Sequence, residues 1–420
     1  MVVTFSRDET TEGGFSVRIW LATVGEPLPV DAGGQRLLRT GQFAKWLAER
    51  GHEVVFFTGT MDHYARRLRS PDTVTYEVAP NYHIVALAGR LYKQSISLAR
   101  FRNHSDVARS FVSAADGLQP PDVVLASYPT EELCRSILDY CEPRGIPVAI
   151  DIRDFWPDIF SELLPGPLKM LAPLVFAPVE RAASKTLARA AALSGMTGSA
   201  MRWAQSKARR PANASDFWFP FSYPSQQDVA SVPHSGVRLV FLGTLSHRSN
   251  IETIIDAMKL LNERGVAATL DICGTGQAEA SLAARAEGVP SVKFHGWIAA
   301  SDLADIMARS DLGVLPYVRP DFHMSLPNKF VEYLAGGLGV LSCTEGEVRQ
   351  MIETRGCGIW AASDPVRIAD AIAALQPQRM TEMKDNARAV FSDTFGQDAV
   401  FGKALGCLEH IARKGEALAT

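Results

Sequence analysis

Residues 17–24 read VRIWLATV and residues 54–58 read VVFFT, two apolar runs with the length of buried strands. Between them, a loop rich in proline and glycine leads into a segment whose apolar residues recur at helical spacing, and Gly51 follows it as a natural helix end. A strand, a helix and a second strand in this order form the repeating unit of a parallel sheet with crossover helices. The first half of the chain is therefore predicted to be a doubly wound α/β domain.

The same alternation of strands and helices continues along the chain. Apolar runs at residues 122–127 and 148–151 extend the first half, and a second series of strands is predicted at residues 238–243, 269–274, 292–296, 312–317 and 340–343. The first helix of the second series has an apolar stripe, formed by Ile251, Ile254, Ile255, Met258 and Leu261. Ser249 and Glu252 match a capping box at its start. These patterns predict a second α/β domain, with a linker in the proline-rich residues 207–236.

Composition excludes several classes of protein. The 420 residues are 47% hydrophobic and 21% charged, which is typical of globular domains, and the length favours two of them. A net charge of -3 provides no broad positive field, so we expect no nucleic-acid partner. The six cysteines form no CxxC pair, which argues against a structural metal and for a reduced, cytoplasmic protein.

Two further absences concern membranes and export. The first fifteen residues carry three acidic side chains and no apolar core, so we expect no secretory signal. Apolar runs stay shorter than the roughly 18 residues that a membrane-spanning helix needs. The amphipathic stretch 163–193 could still lie on a membrane surface, or it could be a helix packed on the sheet.

Two predicted helix starts in the second half carry a cation. The first is the turn from Gly243 through Thr244 to Arg248, where free backbone N–H groups and the helix dipole favour an anion. A cation is unfavourable at that position unless a negative ligand offsets it, although Arg248 could also be a solvated surface arginine. Gly274, after the next strand, would let the backbone approach a ligand, and an ordinary β-turn is an equal alternative.

The second helix start lies in residues 325–337, which read SLPNKFVEYLAGG. Lys329 again places a cation at the positive end of a helix. Two such cations indicate one shared anion, and a diphosphate held there would be stabilised without a metal. Glu332 is the candidate for a ribose, since a carboxylate accepts hydrogen bonds from two vicinal hydroxyls. The alternative is a simple Lys329–Glu332 ion pair at spacing i,i+3.

These motifs resemble glycosyltransferase family 4, the retaining enzymes of the GT-B fold, and most of all the L-fucosamine transferase type of O-antigen and capsule assembly. The resemblance covers nearly the whole chain. It is carried by the stretches DAGGQR at 31–36 and RGHEV at 50–54, DIRDFWPD at 151–158, Gly243 to Arg248, and residues 325–337.

The resemblance implies roles for individual residues. Gly33 and Gly34 resemble the loop that faces the diphosphate and acceptor, and Arg248 and Lys329 resemble its cations. The donor-binding set becomes Gly243, Thr244, Arg248, Gly274, Ser325, Leu326, Pro327, Asn328, Lys329 and Glu332, with Arg248, Lys329, Glu332 and Asp154 as the catalytic set. Met324 stands where many members have a glutamate that contacts the donor sugar. Asp321 or His323 could replace that contact.

On the acceptor side, Arg153 and Asp154 follow a strand at the carboxyl edge of the first sheet, where ligands bind in open parallel sheets. Asp154 would orient the acceptor hydroxyl, or Arg153 would bind its phosphate side; a plain Arg153–Asp154 loop clamp is an equal alternative. Tyr128, after the preceding strand, is a further acceptor candidate.

The expected architecture is α/β, with two Rossmann-like domains facing across a cleft. Its parts are a flexible tail at 1–15, an acceptor domain at 16–232, a nucleotide-sugar domain at 233–390 and a helix at 391–420 that returns to the first domain. The implied activity is transfer of a sugar, from a UDP-sugar by preference, to a glycan or polyprenyl-linked acceptor in polysaccharide synthesis. No cofactor is expected, and the protein would work in the cytoplasm, at the inner face of the membrane if it binds there. A sugar-nucleotide epimerase and an inactive sugar-nucleotide-binding subunit are the alternatives.

Overall fold

The computed structural model describes residues 16–31, 36–93, 97–161, 166–223, 234–319 and 322–419. The chain forms two compact units. The first unit comprises Met1–Phe219 together with Phe401–Thr420, and the second comprises Pro220–Val400.

The first unit is built from alternating strands and helices. Its strands are β1 (Arg18–Ala22), β2 (Glu53–Gly59), β3 (Met61–Asp62), β4 (Arg67–Leu68), β5 (Val74–Ala79), β6 (Tyr82–Leu87), β7 (Val123–Tyr128), β8 (Val148–Ile152), β9 (Ala192–Gly195) and β10 (Phe217–Trp218). Its helices are α1 (Arg39–Glu49), α2 (Leu98–Ala115), α3 (Glu131–Cys141), α4 (Asp158–Ser161), α5 (Ala172–Val175), α6 (Ala177–Ala188) and α7 (Gly198–Ala208), with 3-10 turns at Glu142–Arg144 and Gly166–Leu171.

The main sheet has the strand order β10-β9-β8-β7-β1-β2-β6-β5. Its strands pair in parallel except at one edge, where β5 runs antiparallel to β6. The sequence pattern predicted the parallel part but not this edge, because β5 carries alternating exposed residues rather than a buried apolar run. Strands β3 and β4 form a small separate hairpin.

Aromatic side chains fill the core on one face of this sheet. Trp20 of β1 lies 5.0 Å from the ring of Phe57, 6.2 Å from Phe111 of α2 and 5.8 Å from Tyr140 of α3. Large buried rings contribute most of the hydrophobic area that holds helices onto a sheet. This packing keeps α2 and α3 in place, so the carboxyl ends of β1, β2, β6, β7 and β8 present their loops at one edge.

The second unit has a six-stranded parallel sheet in the order β13-β12-β11-β14-β15-β16. Its strands are β11 (Val237–Leu242), β12 (Ala268–Cys273), β13 (Val292–Gly296), β14 (Leu312–Leu315), β15 (Gly339–Ser342) and β16 (Gly358–Trp360). Its helices are α8 (Ile251–Glu263), α9 (Glu279–Arg285), α10 (Ala300–Ala308), α11 (Asn328–Ala335), α12 (Glu347–Arg355), α13 (Pro365–Ala373) and α14 (Pro377–Val390), followed by a π-helical turn at Phe391–Phe395.

The predicted apolar stripe of α8 is confirmed, since all five of its residues are buried in the core of the second unit. The predicted capping box is wrong. Asn250, not Ser249, precedes the helix and adopts a left-handed conformation, with its amide donating to Pro316 O at 3.0 Å and to Ser363 Oγ at 2.8 Å. Ser249 Oγ instead donates to Ser246 O at 2.5 Å.

The limits of the two units follow from side-chain packing. Phe219 lies against Phe43 of α1 at 5.3 Å, so the chain belongs to the first unit up to that residue. Tyr223 donates to Asn328 O at 3.4 Å within the second unit. The last helix, α15 (Gln397–Ala419), contributes its residues from Phe401 onward to the first unit, where Phe401 packs 5.2 Å from Phe43. The helix predicted at 391–420 begins at Gln397 in the structure, after the π-helical turn.

Candidate functional site

The carboxyl ends of β11 and β12 carry two glycine turns that pack directly on each other. Gly243 N donates to Cys273 O at 3.0 Å, and Leu245 N donates to Thr275 O at 3.0 Å. Gly274 has φ 142°, and a Cβ added there would lie 1.8 Å from Gly243 O. The absence of a side chain at Gly274 is therefore required by the neighbouring backbone.

Arg248 lies in the loop that follows these turns. The helix begins at Ile251, so Arg248 is three residues before it. A turn from Ser246 to Ser249 holds this loop, with Ser249 N donating to Ser246 O at 3.0 Å and Arg248 N donating to Ser246 Oγ at 3.3 Å. Arg248 and Thr244 are exposed at the carboxyl edge of the sheet.

Helix α11 is fixed against the sheet by Tyr333, which is fully buried. Its hydroxyl accepts from Leu242 N at 2.9 Å and donates to Val314 O at 3.3 Å, which links the helix to β11 and β14. Gly313 makes this approach possible, since a Cβ there would lie 2.1 Å from the Tyr333 ring. Burial raises the pKa of Tyr333 well above its ordinary value, so its proton stays available for this bond.

The turn before α11 places backbone and small side chains at the helix start. Ser325 N donates to Phe322 O at 3.3 Å, Leu326 is buried, and Pro327 directly precedes the first helical residue, Asn328. The first turn of α11 contains no acidic residue. Phe330 N donates to Pro327 O at 2.9 Å, and the N–H groups of Asn328 and Lys329 precede it, at the end of the helix where an anion is favoured. Gly336 and Gly337 end the helix, also as predicted.

Lys329, in this first turn, forms an ion pair with Glu332, the fifth residue of the helix. Lys329 Nζ donates to Glu332 Oε2 at 2.7 Å. The Glu332 side chain is only 3% exposed, whereas that of Lys329 is 31% exposed. The ion-pair alternative is thus present in the structure. It is compatible with a ligand site, because a carboxylate accepts more than one hydrogen bond and the ammonium has three donors.

The segment just before this turn contains the position where a glutamate would be expected. Met324 is 37% exposed, and its neighbour His323 has a buried ring nitrogen, Nε2, with no hydrogen-bond partner among the described residues. His323 O accepts from Glu347 N at 3.1 Å, which docks the segment on α12. Asp321, the other predicted substitute, lies outside the described residues.

In the first unit, Arg153 is the centre of a buried polar network at the carboxyl edge of the sheet. It donates to Asp151 Oδ2 at 3.0 Å, to Thr40 Oγ1 at 2.5 Å and to Glu26 Oε1. Asp151 is also bound by Arg39 Nη2 at 2.5 Å. Burial alone would lower the pKa of Arg153, but the carboxylates of Glu26 and Asp151 raise it above the ordinary value. The clamp that forms is therefore different from the predicted Arg153–Asp154 clamp.

The other acceptor candidates have structural contacts of their own. Asp154 accepts from Phe155 N at 2.9 Å and from Trp156 Nε1 at 3.1 Å, and burial raises its pKa. Tyr128 is 1% exposed and donates to Trp156 O at 2.6 Å, so its hydroxyl is engaged in holding the loop rather than presented to solvent. Gly33 and Gly34 lie outside the described residues.

Sequence reasoning missed Glu26, Arg39 and Thr40. Glu26 closes the start of α1, since Thr40 N donates to its Oε1 at 3.4 Å and Gly41 N donates to its Oε2 at 3.2 Å. A carboxylate from the chain itself thus occupies the anion position of this helix. Its partners lie 14 to 127 residues away, so no local motif could have indicated the contact.

Two negative findings apply to the described residues only. No group of three or more His, Cys, Asp or Glu side chains is arranged to hold a metal ion within these ranges. None of the helices seen there combines the length and the apolar character needed to cross a bilayer.

Sequence comparison places one part of the chain in a known family. Residues 236–377 match the family described as Glycosyl transferases group 1. A GDP-mannose-dependent alpha-(1-6)-phosphatidylinositol dimannoside mannosyltransferase of Mycobacterium tuberculosis is 30% identical over 146 residues. That alignment covers 34% of this chain and 37% of the relative, so the chain spans little more than a third of the length of the curated relative it matches.

Structural comparison extends over almost the whole chain. A sucrose-phosphate synthase from Thermosynechococcus elongatus has a TM-score of 0.70 at 15% identity, covering 94% of this chain and 99% of that one. WaaG, a glycosyltransferase involved in lipopolysaccharide biosynthesis, has a TM-score of 0.60 at 16% identity, covering 93% and 99%. Anabaena HepE, solved in complex with UDP and glucose, has a TM-score of 0.59 at 13% identity, covering 94% and 99%. The chain has the GT-B fold, and its residues 236–377 match the glycosyl transferases group 1 family.

Proposed function

We propose that this protein is a retaining glycosyltransferase that transfers a sugar from a nucleotide diphosphate donor, a UDP-sugar by preference. One observation carries the proposal. Within the family-matched residues 236–377, a partly exposed lysine in the first turn of α11 pairs with a buried glutamate three residues further on. This arrangement supplies what a donor requires, namely a carboxylate for ribose hydroxyls and backbone N–H groups with a cation for phosphate.

In the proposed donor site, Lys329 and Arg248 neutralise the diphosphate. Leu326 N and Asn328 N donate to its oxygens, and Gly243 and Thr244 lie beside it at the end of β11, with Gly274 packed against Gly243. The Glu332 carboxylate accepts from the ribose. HepE, which has the same fold, was solved with UDP, and the mycobacterial relative is named for GDP-mannose. The identity of the donor's nucleobase is therefore the first property to test.

The proposed chemistry proceeds on one face of the sugar. The bond from the anomeric carbon to the diphosphate oxygen breaks, the acceptor oxygen forms the new glycosidic bond, and its proton passes to the leaving diphosphate. Negative charge builds up on that oxygen, and fixed cations with backbone donors stabilise it most where it develops. We propose that Arg248 and Lys329 stabilise this charge without a metal, so the transferase activity should survive EDTA.

We propose that the first unit binds a glycan or polyprenyl-linked acceptor used in cell-surface polysaccharide synthesis, with Arg153 and Asp154 nearest to it. Contact with the inner face of the cytoplasmic membrane forms part of this proposal. Helix α6 packs Ala183 and Leu187 into the core, but Met170 and Leu174, just before it, are 87% and 77% exposed. Apolar side chains so exposed favour a lipid surface over water.

A thermal-shift panel of UDP-, GDP-, ADP- and dTDP-sugars tests the donor. We expect nucleotide sugars of one nucleobase to raise the melting temperature most. If the proposed donor preference is right, these are the UDP-sugars. Release of free nucleoside diphosphate with a glycosylated acceptor supports the transferase. An altered donor sugar with no transfer would show the sugar-nucleotide epimerase instead, and binding without any turnover would show an inactive binding subunit.

A further inference from the structure

Residues 166–189 of the first unit are basic, although the chain as a whole is acidic. The whole chain has a net charge of -3, whereas this segment has one acidic residue, Glu180, and four basic ones, Lys169, Arg181, Lys185 and Arg189. Glu180 Oε1 accepts from Lys207 Nζ at 2.7 Å, so its charge is already compensated by a residue outside the segment. The segment therefore carries an excess of positive charge.

Three of these cations line one groove between α3 and α6. The groove has a volume of about 570 Å³. Among the described residues, its lining contains one carboxylate, Glu131, and four cations, Arg135, Arg181, Lys185 and Arg189. Thr186 Oγ1 of α6 donates to Glu131 Oε1 of α3 at 2.8 Å, which joins the two walls. The cations are thus held around one groove by the packing of two helices.

The counter-charges of this groove are unevenly distributed. Arg135 Nε lies 3.3 Å from Glu131 Oε1, and Arg189 pairs with two carboxylates outside the lining. Arg181 and Lys185 are exposed, and neither has an ion-pair partner among the residues that the structure describes. An external negative charge would complement these two cations.

Exposed apolar side chains come just before the groove along the chain. They form a group that we call the apolar row, with exposures between 37% and 87%: Met170, Leu171, Leu174, Val175 and Val179. One residue, Phe176, separates α5 from α6, and Pro178 in the first turn of α6 already lines the groove. The apolar row is therefore adjacent to the cations. Exposed apolar side chains grouped in this way mark an interaction surface, whereas single ones are ordinary.

We propose that the groove between α3 and α6 and the apolar row form one docking surface for a bilayer that contains anionic phospholipids. Arg181 and Lys185 would bind the negative headgroups, and the apolar row would enter the boundary between headgroups and acyl chains. Segments with lysine and arginine beside large apolar side chains bind the bilayer interface in this way. Charge complementarity favours an anionic bilayer over a neutral one, and the apolar row favours a bilayer over a soluble anion.

This inference rests on the proposed function, because it names the surface and the lipid class of the membrane contact proposed there. Docking through this surface would bring the first unit to the membrane in which a polyprenyl-linked acceptor lies. The binding itself requires neither donor nor turnover, so it can be measured separately from sugar transfer.

Co-sedimentation with vesicles tests the docking surface on the full-length protein. The probes are vesicles of phosphatidylcholine alone and vesicles of an equal mixture of phosphatidylcholine and phosphatidylglycerol. We expect binding to the mixed vesicles and much weaker binding to phosphatidylcholine. Added salt should weaken binding to the mixed vesicles, because it screens the attraction between the cations and the anionic surface.

Charge variants test the groove. Arg181→Gln and Lys185→Gln should each weaken binding to the mixed vesicles by roughly fivefold, the effect of losing one cation near an anionic surface. Both residues are exposed, so their replacement leaves the fold intact. Lys45→Gln and Arg109→Gln are the matched controls, since these cations of the first unit are 65% and 73% exposed and do not line the groove. They should leave binding unchanged.

An apolar variant tests the apolar row. Leu174→Gln should weaken binding to the mixed vesicles by about tenfold, because the leucine side chain no longer gains from leaving water. Leu98→Gln is the matched control, since Leu98 is 75% exposed and Leu174 is 77% exposed. It should bind like the wild type.

Four results would overturn the proposal. They are binding to neither kind of vesicle, equal binding to both, equal effects of the groove or row variants and their controls, and a dimer in solution that Leu174→Gln dissociates. The last result would assign the surface to a second copy of the chain. Sugar transfer without vesicle binding would contradict this inference alone, and vesicle binding without transfer would contradict the transferase alone.

Discussion

Lys329 Nζ and Glu332 Oε2 are joined by a 2.7 Å hydrogen bond in which the carboxylate is 3% exposed and the lysine side chain 31% exposed. The two partners are therefore unequal. The lysine can turn toward a ligand at the edge of the sheet, while the glutamate stays buried on α11. A buried carboxylate without its partner is costly, which gives the pair a structural role beside the proposed binding role.

Glu332→Gln keeps the shape of the side chain and removes its charge. We expect the affinity for the nucleotide sugar to fall by about 10- to 100-fold, the range that follows from losing one or two hydrogen bonds to a charged group. Isothermal titration calorimetry measures this affinity, with the nucleotide sugar whose nucleobase the thermal-shift panel identifies. Unchanged affinity would mean that Glu332 does not contact the ribose.

Lys329→Ala removes the cation of the proposed diphosphate site. We expect both nucleoside diphosphate affinity and turnover to fall by about tenfold or more, because one charged donor is lost. Lys259→Ala is the matched control, since Lys259 makes a comparable i,i+3 pair with Asp256 at 3.8 Å on the surface of α8. Equal effects of the two substitutions would show that Lys329 does not bind the diphosphate.

Gly274→Ala should destabilise the second unit. A Cβ at this residue would lie 1.8 Å from Gly243 O, with φ at 142°, so the turn would have to move. We expect a loss of about 3 kcal/mol in the free energy of unfolding, from overpacking and backbone strain together. Chemical denaturation measures it.

Gly402→Ala is the control for that experiment. Gly402 is helical and has open space around the added Cβ. Alanine there should be neutral or should stabilise by about 0.5–1 kcal/mol. A wild-type stability for Gly274→Ala would show that the two glycine turns do not pack as closely as described.

Asp216 should link the stability of the first unit to pH. Burial would raise the pKa of Asp216, but hydrogen bonds from Arg210 Nη2 at 2.6 Å and from Leu193 N and Asn213 N hold it below the ordinary value. A carboxyl whose folded pKa is lowered contributes stability above its unfolded pKa, and this contribution is lost as pH falls through the folded value. The loss should occur below about pH 4.

Asp216→Asn should therefore lower the free energy of unfolding at pH 7 by about 1–3 kcal/mol and reduce the further loss in acid. Asp139→Asn is the control, because Asp139 is 57% exposed in its contact with Arg189 and should contribute little at pH 7. Urea denaturation at a series of pH values checks both. A wild-type pH dependence in Asp216→Asn would contradict the assignment.

The cysteines should react slowly with thiol reagents in the folded protein. Five are buried and Cys407 is half-buried. Burial raises the pKa of Cys273 to about 11 and that of Cys343 to about 12. Since the thiolate is the reactive form, little should be available at pH 8. A disulfide-exchange reagent should modify Cys407 first and all six only in denaturant; fast reaction of several thiols would contradict the burial.

The periodic apolar pattern was enough to predict the type of fold. The runs at 17–24 and 54–58 became β1 and β2, and the stripe from Ile251 to Leu261 became the buried face of α8. Such patterns can be read because burial repeats every two residues in a strand and every three or four in a helix. The pairing of Lys329 with Glu332 on α11 could also be proposed, because the two residues are three positions apart in sequence.

Only the tertiary structure decided the contacts between distant residues. Arg153 binds Glu26, which is 127 residues away, and Arg39 binds Asp151 across 112 residues. It also decided that Asn250 rather than Ser249 precedes α8, because the partners of Asn250 come from Pro316 and Ser363. A sequence specifies local periodicity directly, whereas side-chain partners across a sheet are chosen by which strand ends meet at the same edge, and that depends on the order of the strands.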